Sequence, residues 1–199
     1  MEIRVVDEVD GSFGWLVRET LGRTSHALAS GGRVWLVDPV DAPGVEERVR
    51  ALGEPAGVLQ LLDRHARDCV AWASRLGVPH HVVPFGPVPG VPFEFLPVVD
   101  RRVWRETALW WPERRLLACG DALGTIGYFR SRREAIGVHP LLRLRPPRWL
   151  AALEPEHVLC GHGEGVHGPG TAEALADALA HARRRLPAAL LGAVRRVRR

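Results

Sequence analysis

Leu116-Leu117-Ala118-Cys119-Gly120-Asp121 reads as a short buried strand that runs straight into a glycine and a carboxylate. Val158-Leu159-Cys160-Gly161-His162-Gly163 has the same build, with an imidazole in place of the carboxylate. Brief apolar runs closed by glycine are strand signals, and a polar group just past a strand end is where α/β proteins keep chemistry. Ahead of the first run, Arg102–Trp111 and Arg115–Cys119 are strand-like and separated by Pro112-Glu113-Arg114, which predicts a hairpin.

Further upstream the periods alternate. Ile3–Val6, Phe13–Val17, Ser25–Ala29 and Arg33–Val37 read as strands, the last closed by Asp38-Pro39. Val45, Val49 and Leu52 then share one face of a short helix that Gly53 ends. Gly57–Leu62 has the length of a buried strand and leads into the polar loop Asp63-Arg64-His65-Ala66-Arg67-Asp68. Cys69, Val70, Ala73 and Leu76 follow with helical spacing up to Gly77. Pro84–Pro97 reads as a meandering connection, and Arg130–Arg148 as a helix with loops. Thr171 is placed to cap a last helix with Leu175, Leu179 and Leu186 on one face.

Composition narrows the function classes. The 199 residues are 46% apolar and 25% charged, which suits one ordinary α/β domain, assigned here to 1–186, with a basic tail at 187–199. There is no lysine and no asparagine, so all 27 basic residues are arginine; Schiff-base and Walker-lysine chemistry are excluded. Three cysteines do not make a disulfide scaffold. Met1-Glu2-Ile3-Arg4 lacks the layout of a signal peptide, and no apolar run is long enough to span a bilayer, so a cytoplasmic protein is expected. The net charge of +4 is modest, with arginines gathered at 183–185, 195–196 and 198–199. A solvated tail accounts for them, and without an added nucleic-acid-holding domain neither nucleic acid nor membrane is expected as a partner.

Four segments gather the candidate chemistry: Arg64–Cys69, the hairpin start at Arg102, Gly120-Asp121 and Gly161-His162-Gly163. In this order, behind an α/β unit, they resemble the metallo-β-lactamase superfamily over about residues 3 to 185. The resemblance implies an αββα sandwich, two mixed β-sheets flanked by helices, with the site at one edge. The superfamily's His-x-His-x-Asp-His motif falls on Arg64-His65-Ala66-Arg67-Asp68-Cys69, its isolated histidine on Arg102, its bridging aspartate on Asp121 and its last histidine on His162.

The departures from the motif are uneven. Metal site one would use Arg64, Ala66 and Arg102, none of which can ligate a metal, and His65 is one position out of frame. Site two would use Asp68, Cys69, Asp121 and His162, all of which can; the set suits zinc or iron(II), so at most one ion is expected. The resemblance then implies a hydrolase of an ester, thioester, lactone or amide, acting on a small molecule through a metal-activated water, with Asp68 handling a proton. The alternative is a metal-free, catalytically inactive binding or regulatory protein of the same fold. An arginine is expected to stand in for the missing site-one ion and pair with Asp121. Arg102 is the favoured residue, with Glu106 farther along the same strand face as a second partner.

Overall fold

The structure, a computed structural model, describes residues 1–189. Most of the basic tail, including its last four arginines, lies outside them. Two mixed sheets stack face to face. The first runs β1 (Ile3–Val9), β2 (Ser12–Val17), β3 (Thr24–Ser30), β4 (Arg33–Val37), β5 (Glu54–Gln60) and β6 (His80–Val82), in chain order. Its first four strands are antiparallel neighbours, and β4, β5 and β6 are parallel. Parallel neighbours need crossovers; α1 (Val45–Leu52) and α2 (Cys69–Leu76) supply them.

The second sheet has the order β13 (Val166–His167), β12 (His157–Cys160), β9 (Leu116–Cys119), β8 (Trp104–Trp111) and β7 (Glu94–Arg101). Only β9 and β12 pair in parallel, with Cys119 opposite Cys160. A short ribbon of β10 (Leu123–Gly124) and β11 (Gly137–Val138) stands apart, and α3 (Thr171–His181) covers the outer face.

Three larger cores, among the described residues, follow from the strand alternation, beside a small cluster of Leu62, Val99 and Trp104. Between the sheets lie Leu28, Trp35, Leu59 and Leu61 against Leu109, Trp111, Leu116 and Leu159. Outside the first sheet, Leu36 and Val58 pack on Val45, Val49, Trp72 and Ala73 of α1 and α2. Outside the second, Trp110, Leu117, Cys119 and Cys160 pack on Leu175 and Leu179 of α3. Each fully buried leucine stabilises by about 1.5–3 kcal/mol. Trp110 and Trp111 face opposite layers, as alternation requires.

Two sequence expectations are corrected here. Residues 130–148 contain no α-helix; they hold β11 and a 3₁₀ turn at Pro140–Leu142. Gly137 and the prolines at 140, 146 and 147 leave no uninterrupted helical stretch. Arg143 organises this segment instead: fully buried, it donates to Phe129 O and Val138 O and pairs with Glu134 at 2.8 Å. Thr171 is the first residue of α3 and not its cap. Gly170 occupies the cap position at φ 89°, and the Thr171 hydroxyl donates to Gly168 O. Leu186 lies beyond α3.

Among the described residues, no helix is long and apolar enough to cross a membrane.

Candidate metal centre

Parallel pairing brings the site together. β9 and β12 end side by side, so Asp121 and His162, each one glycine further on, emerge as neighbours. In the facing sheet β4 and β5 also end side by side, which delivers Asp38 and the loop that carries His65. The two glycines permit the close approach. A Cβ on Gly161 would sit 2.7 Å from Gly120 O and 2.7 Å from His65 Cε1. A Cβ on Gly120 would press on Leu62 at 3.0 Å.

His65 is turned inward by a tight turn in which its N–H bonds Leu62 O at 2.9 Å. Its Nδ1 lies 2.8 Å from Asp38 Oδ2, and its Nε2 lies 3.2 Å from Asp121 Oδ1. His162 mirrors it, with Nδ1 2.9 Å from Leu21 O and Nε2 3.2 Å from the same Asp121 oxygen. Both imidazoles therefore have an acceptor at Nδ1. That fixes the ring proton there and leaves the Nε2 lone pairs convergent on Asp121 Oδ1. The three ligand atoms lie within 4.8 Å of one another. Two imidazoles and one carboxylate, with their outer partners in place, are a donor set for zinc or iron(II). The residues present thus fit a single ion.

Without an ion the same atoms form a charge-assisted cluster, in which a protonated Nε2 donates to Asp121 and a metal would take the place of that proton. Burial alone would raise the Asp121 pKa, but hydrogen bonds from His162 and His65 and their charge hold it well below the usual carboxylate range. For His65, burial and Arg67 push downward while Asp38 and Asp121 outweigh them, so its pKa is raised. Asp38 is itself 2% exposed and accepts the Leu61 N–H at 2.8 Å through its other oxygen. Arg67 staples the surroundings, donating to Thr24 O, Asp38 O and Gly161 O at 2.6, 2.9 and 2.9 Å. Asp7 does the same from β1, bonding His26 and His167 at 3.0 Å each and Gly165 N at 2.8 Å. That ties the loop after His162 to the first sheet.

The expected ligands fall into two groups. Asp121 and His162 lie at the centre. Asp68 and Cys69 lie outside the cluster. The Asp68 carboxylate accepts the Asp41 N–H at 2.7 Å, away from any proton it was expected to handle, and makes no cap bond to α2. The Cys69 thiol is buried at the start of α2, 3.5 Å from His65 O, and burial raises its pKa far above the ordinary thiol value. The residue one position out of frame, His65, joins Asp121 and His162 instead, because the 62–65 turn aims it inward.

Of the two arginines expected near Asp121, it is Arg64 and not Arg102 that lies beside it. Arg64 Nη2 lies 3.5 Å from Asp121 Oδ2, and its guanidinium stacks over Trp104 at 4.6 Å. Arg102 sits in the two-residue turn between β7 and β8 and is exposed. Glu106 is fully buried and bonded by Trp104 Nε1 at 2.9 Å and Ala122 N at 2.8 Å. It braces the residue after Asp121, and burial lifts its pKa to about 7. Asp38, the orienting carboxylate, was legible only as a strand end; its φ of 45° is the local mark of an unusual role.

No protein family's sequence profile matches the chain, and no curated protein does. Solved structures do. The DIM-1 metallo-β-lactamase exposed to ceftazidime superposes with a TM-score of 0.63 at 13% identity, covering 92% of this chain and 98% of that one. VMB-1 superposes with 0.64 at 10% identity over 96% and 98%. This chain has the metallo-β-lactamase fold. The peroxy diiron species of the chemotaxis sensor ODP shares that fold, at 0.60 and 12% identity over 90% and 94%. At such identities the metallo-β-lactamase likeness speaks for architecture alone. The site must be argued from its own side chains.

Proposed function

We propose that the protein is a hydrolase-type enzyme with one metal ion, zinc or iron(II), held by His65 Nε2, Asp121 Oδ1 and His162 Nε2. Its substrate is a small ester, thioester, lactone or amide. The observation that carries this reading is the convergence of two Nε2 atoms on one carboxylate oxygen, with each Nδ1 already committed to an acceptor. An ion bound there would lower the pKa of its water to around 7 and polarise a carbonyl oxygen. Asp38 keeps the His65 proton on Nδ1, and Leu21 O does so for His162. Phe129 stacks on the His162 ring at 5.7 Å and screens it from water on one side. Arg64 places a permanent positive charge beside Asp121 Oδ2.

One observation favours a second reading, a metal-free binding or regulatory protein. Asp121 already has both oxygens partnered, by the two histidines and by Arg64. Elemental analysis of protein prepared without chelator, paired with a turnover screen over the four substrate classes, separates the two. About one zinc or iron per chain, with turnover lost in Asp121→Ala, supports the enzyme. Metal-free protein that stays inert after reloading supports the second reading.

A further inference from the structure

Arg64 lies beside Asp121 and over the Trp104 ring, next to His139 and Tyr128. Arg64 has a half-exposed side chain. Its one described hydrogen bond goes to Asp121 Oδ2, which leaves most of its five N–H donors for another partner. The guanidinium is not free to wander, because it lies on the Trp104 ring, and that indole is 5% exposed and pinned by Glu106. His139 packs edge-on against the same indole, with ring centroids 4.8 Å apart.

The proton on His139 can be placed. Its Nδ1 accepts the Leu141 N–H at 3.2 Å, so the ring hydrogen is on Nε2. Burial pulls its pKa down to about 4, so the ring is neutral near pH 7. Nε2 faces the Tyr128 hydroxyl at 3.5 Å, and the tyrosine oxygen accepts there, leaving its O–H to donate outward. Tyr128 is a neutral phenol, its pKa raised by burial first and by Asp121 second, against a smaller opposing effect of Arg64. Arg64 and His139 both pack on the Trp104 ring, and the Tyr128 ring lies against His139 with centroids 5.4 Å apart, which gathers the three side chains in one place.

We propose that Arg64 and Tyr128, the latter positioned by His139, form an oxyanion-recognition rim beside the metal centre, and that the substrate carries a carboxylate or phosphoryl group that docks there. A guanidinium fork held over an indole has its side chain positioned and presents paired N–H donors, the arrangement that takes two oxygens of one anion. The Tyr128 O–H, left free because its oxygen accepts from His139 Nε2, adds a donor without adding charge. A divalent ion bound by His65, Asp121 and His162 would strengthen the preference, because Asp38 and Asp121 are already offset by Arg67 and Arg64. The substrate class rests on the hydrolase reading; the anion site itself does not.

The test is calorimetric titration of the full chain with inorganic phosphate and with acetate, in metal-free and one-zinc forms. Saturable binding of at least one anion is expected in both forms, stronger with zinc. Phosphate winning points to a phosphoryl group on the substrate, acetate to a carboxylate. Arg64→Ala should weaken binding at least about tenfold in each form, and Arg64→Lys should recover part of it. Tyr128→Phe should give a smaller loss, and it keeps the test alive should Arg64→Ala fold poorly. Wild-type affinity in Arg64→Ala overturns the proposal. So does an absence of saturable binding, or binding that needs zinc and ignores Arg64. A parallel zinc titration keeps the two ideas apart: no zinc uptake with anion binding intact removes the metal reading and leaves the rim standing.

Discussion

His65 Nδ1 lies 2.8 Å from Asp38 Oδ2, across the gap between a strand end and a loop that are 27 positions apart in the chain. That contact decides which nitrogen of His65 faces Asp121. Asp38→Asn keeps an oxygen for the Leu61 N–H but offers its amide to Nδ1, so the ring proton moves to Nε2 and the lone pair turns away from the centre. Asparagine tolerates the φ of 45° at this position, so the fold should survive. Zinc affinity measured by competition with a chromogenic chelator is expected to drop roughly 10- to 100-fold. An unchanged affinity would mean that Asp38 does not orient the ligand.

Glu134 and Arg143 form the most deeply buried ion pair described, both side chains at 0% exposure. The pair fastens the β10–β11 segment to the end of α3, since Arg143 also reaches Ala182 O at 3.4 Å. Glu134→Ala leaves the guanidinium buried without its countercharge and should cost about 3–5 kcal/mol in denaturant unfolding. A loss below about 1 kcal/mol would show that the segment relaxes and hydrates the arginine.

Glu106 and His139 act on stability with opposite signs. The Glu106 pKa rises on folding from 4.5 to about 7, so the folded state holds its proton longer and stability falls as pH climbs through that window. The His139 pKa drops from 6.5 to about 4, so the unfolded state binds the extra proton and stability rises over 4–6.5. Each effect is on the order of 3 kcal/mol, and the windows overlap. The contributions of these two groups should therefore largely cancel between pH 4.5 and 6.5. Relative to wild type, Glu106→Gln should gain stability with rising pH there, and His139→Asn should lose it. Parallel profiles for all three proteins would refute the pair of assignments.

The layers were legible because alternation and glycine punctuation are local signals. Leu109 and Trp111 against Ala108 and Trp110, or Val45 and Val49 on α1, need no partner to be read. Asp121 and His162 were legible for the same reason, since each follows a strand at a glycine. The frame at Arg64–Cys69 misled because counting residues assumes that a loop keeps the motif's path. A turn at Leu62–His65 and a positive φ at Arg67 re-aim the side chains, so His65 enters and Cys69 joins the core of α2. Arg102 misled in the same way, since the spacing lands on a hairpin tip. Asp38 carried no motif at all; only the tertiary contact with His65 brings it to the site.

The central claim is one metal held by His65, Asp121 and His162, with Cys69 uninvolved. Titrating metal-free protein with zinc, for wild type, His65→Ala and Cys69→Ala, tests it most directly. One equivalent per chain is predicted for wild type and Cys69→Ala, and no tight binding for His65→Ala. Two tight equivalents in wild type, no binding at all, or binding that survives His65→Ala and vanishes in Cys69→Ala would contradict it.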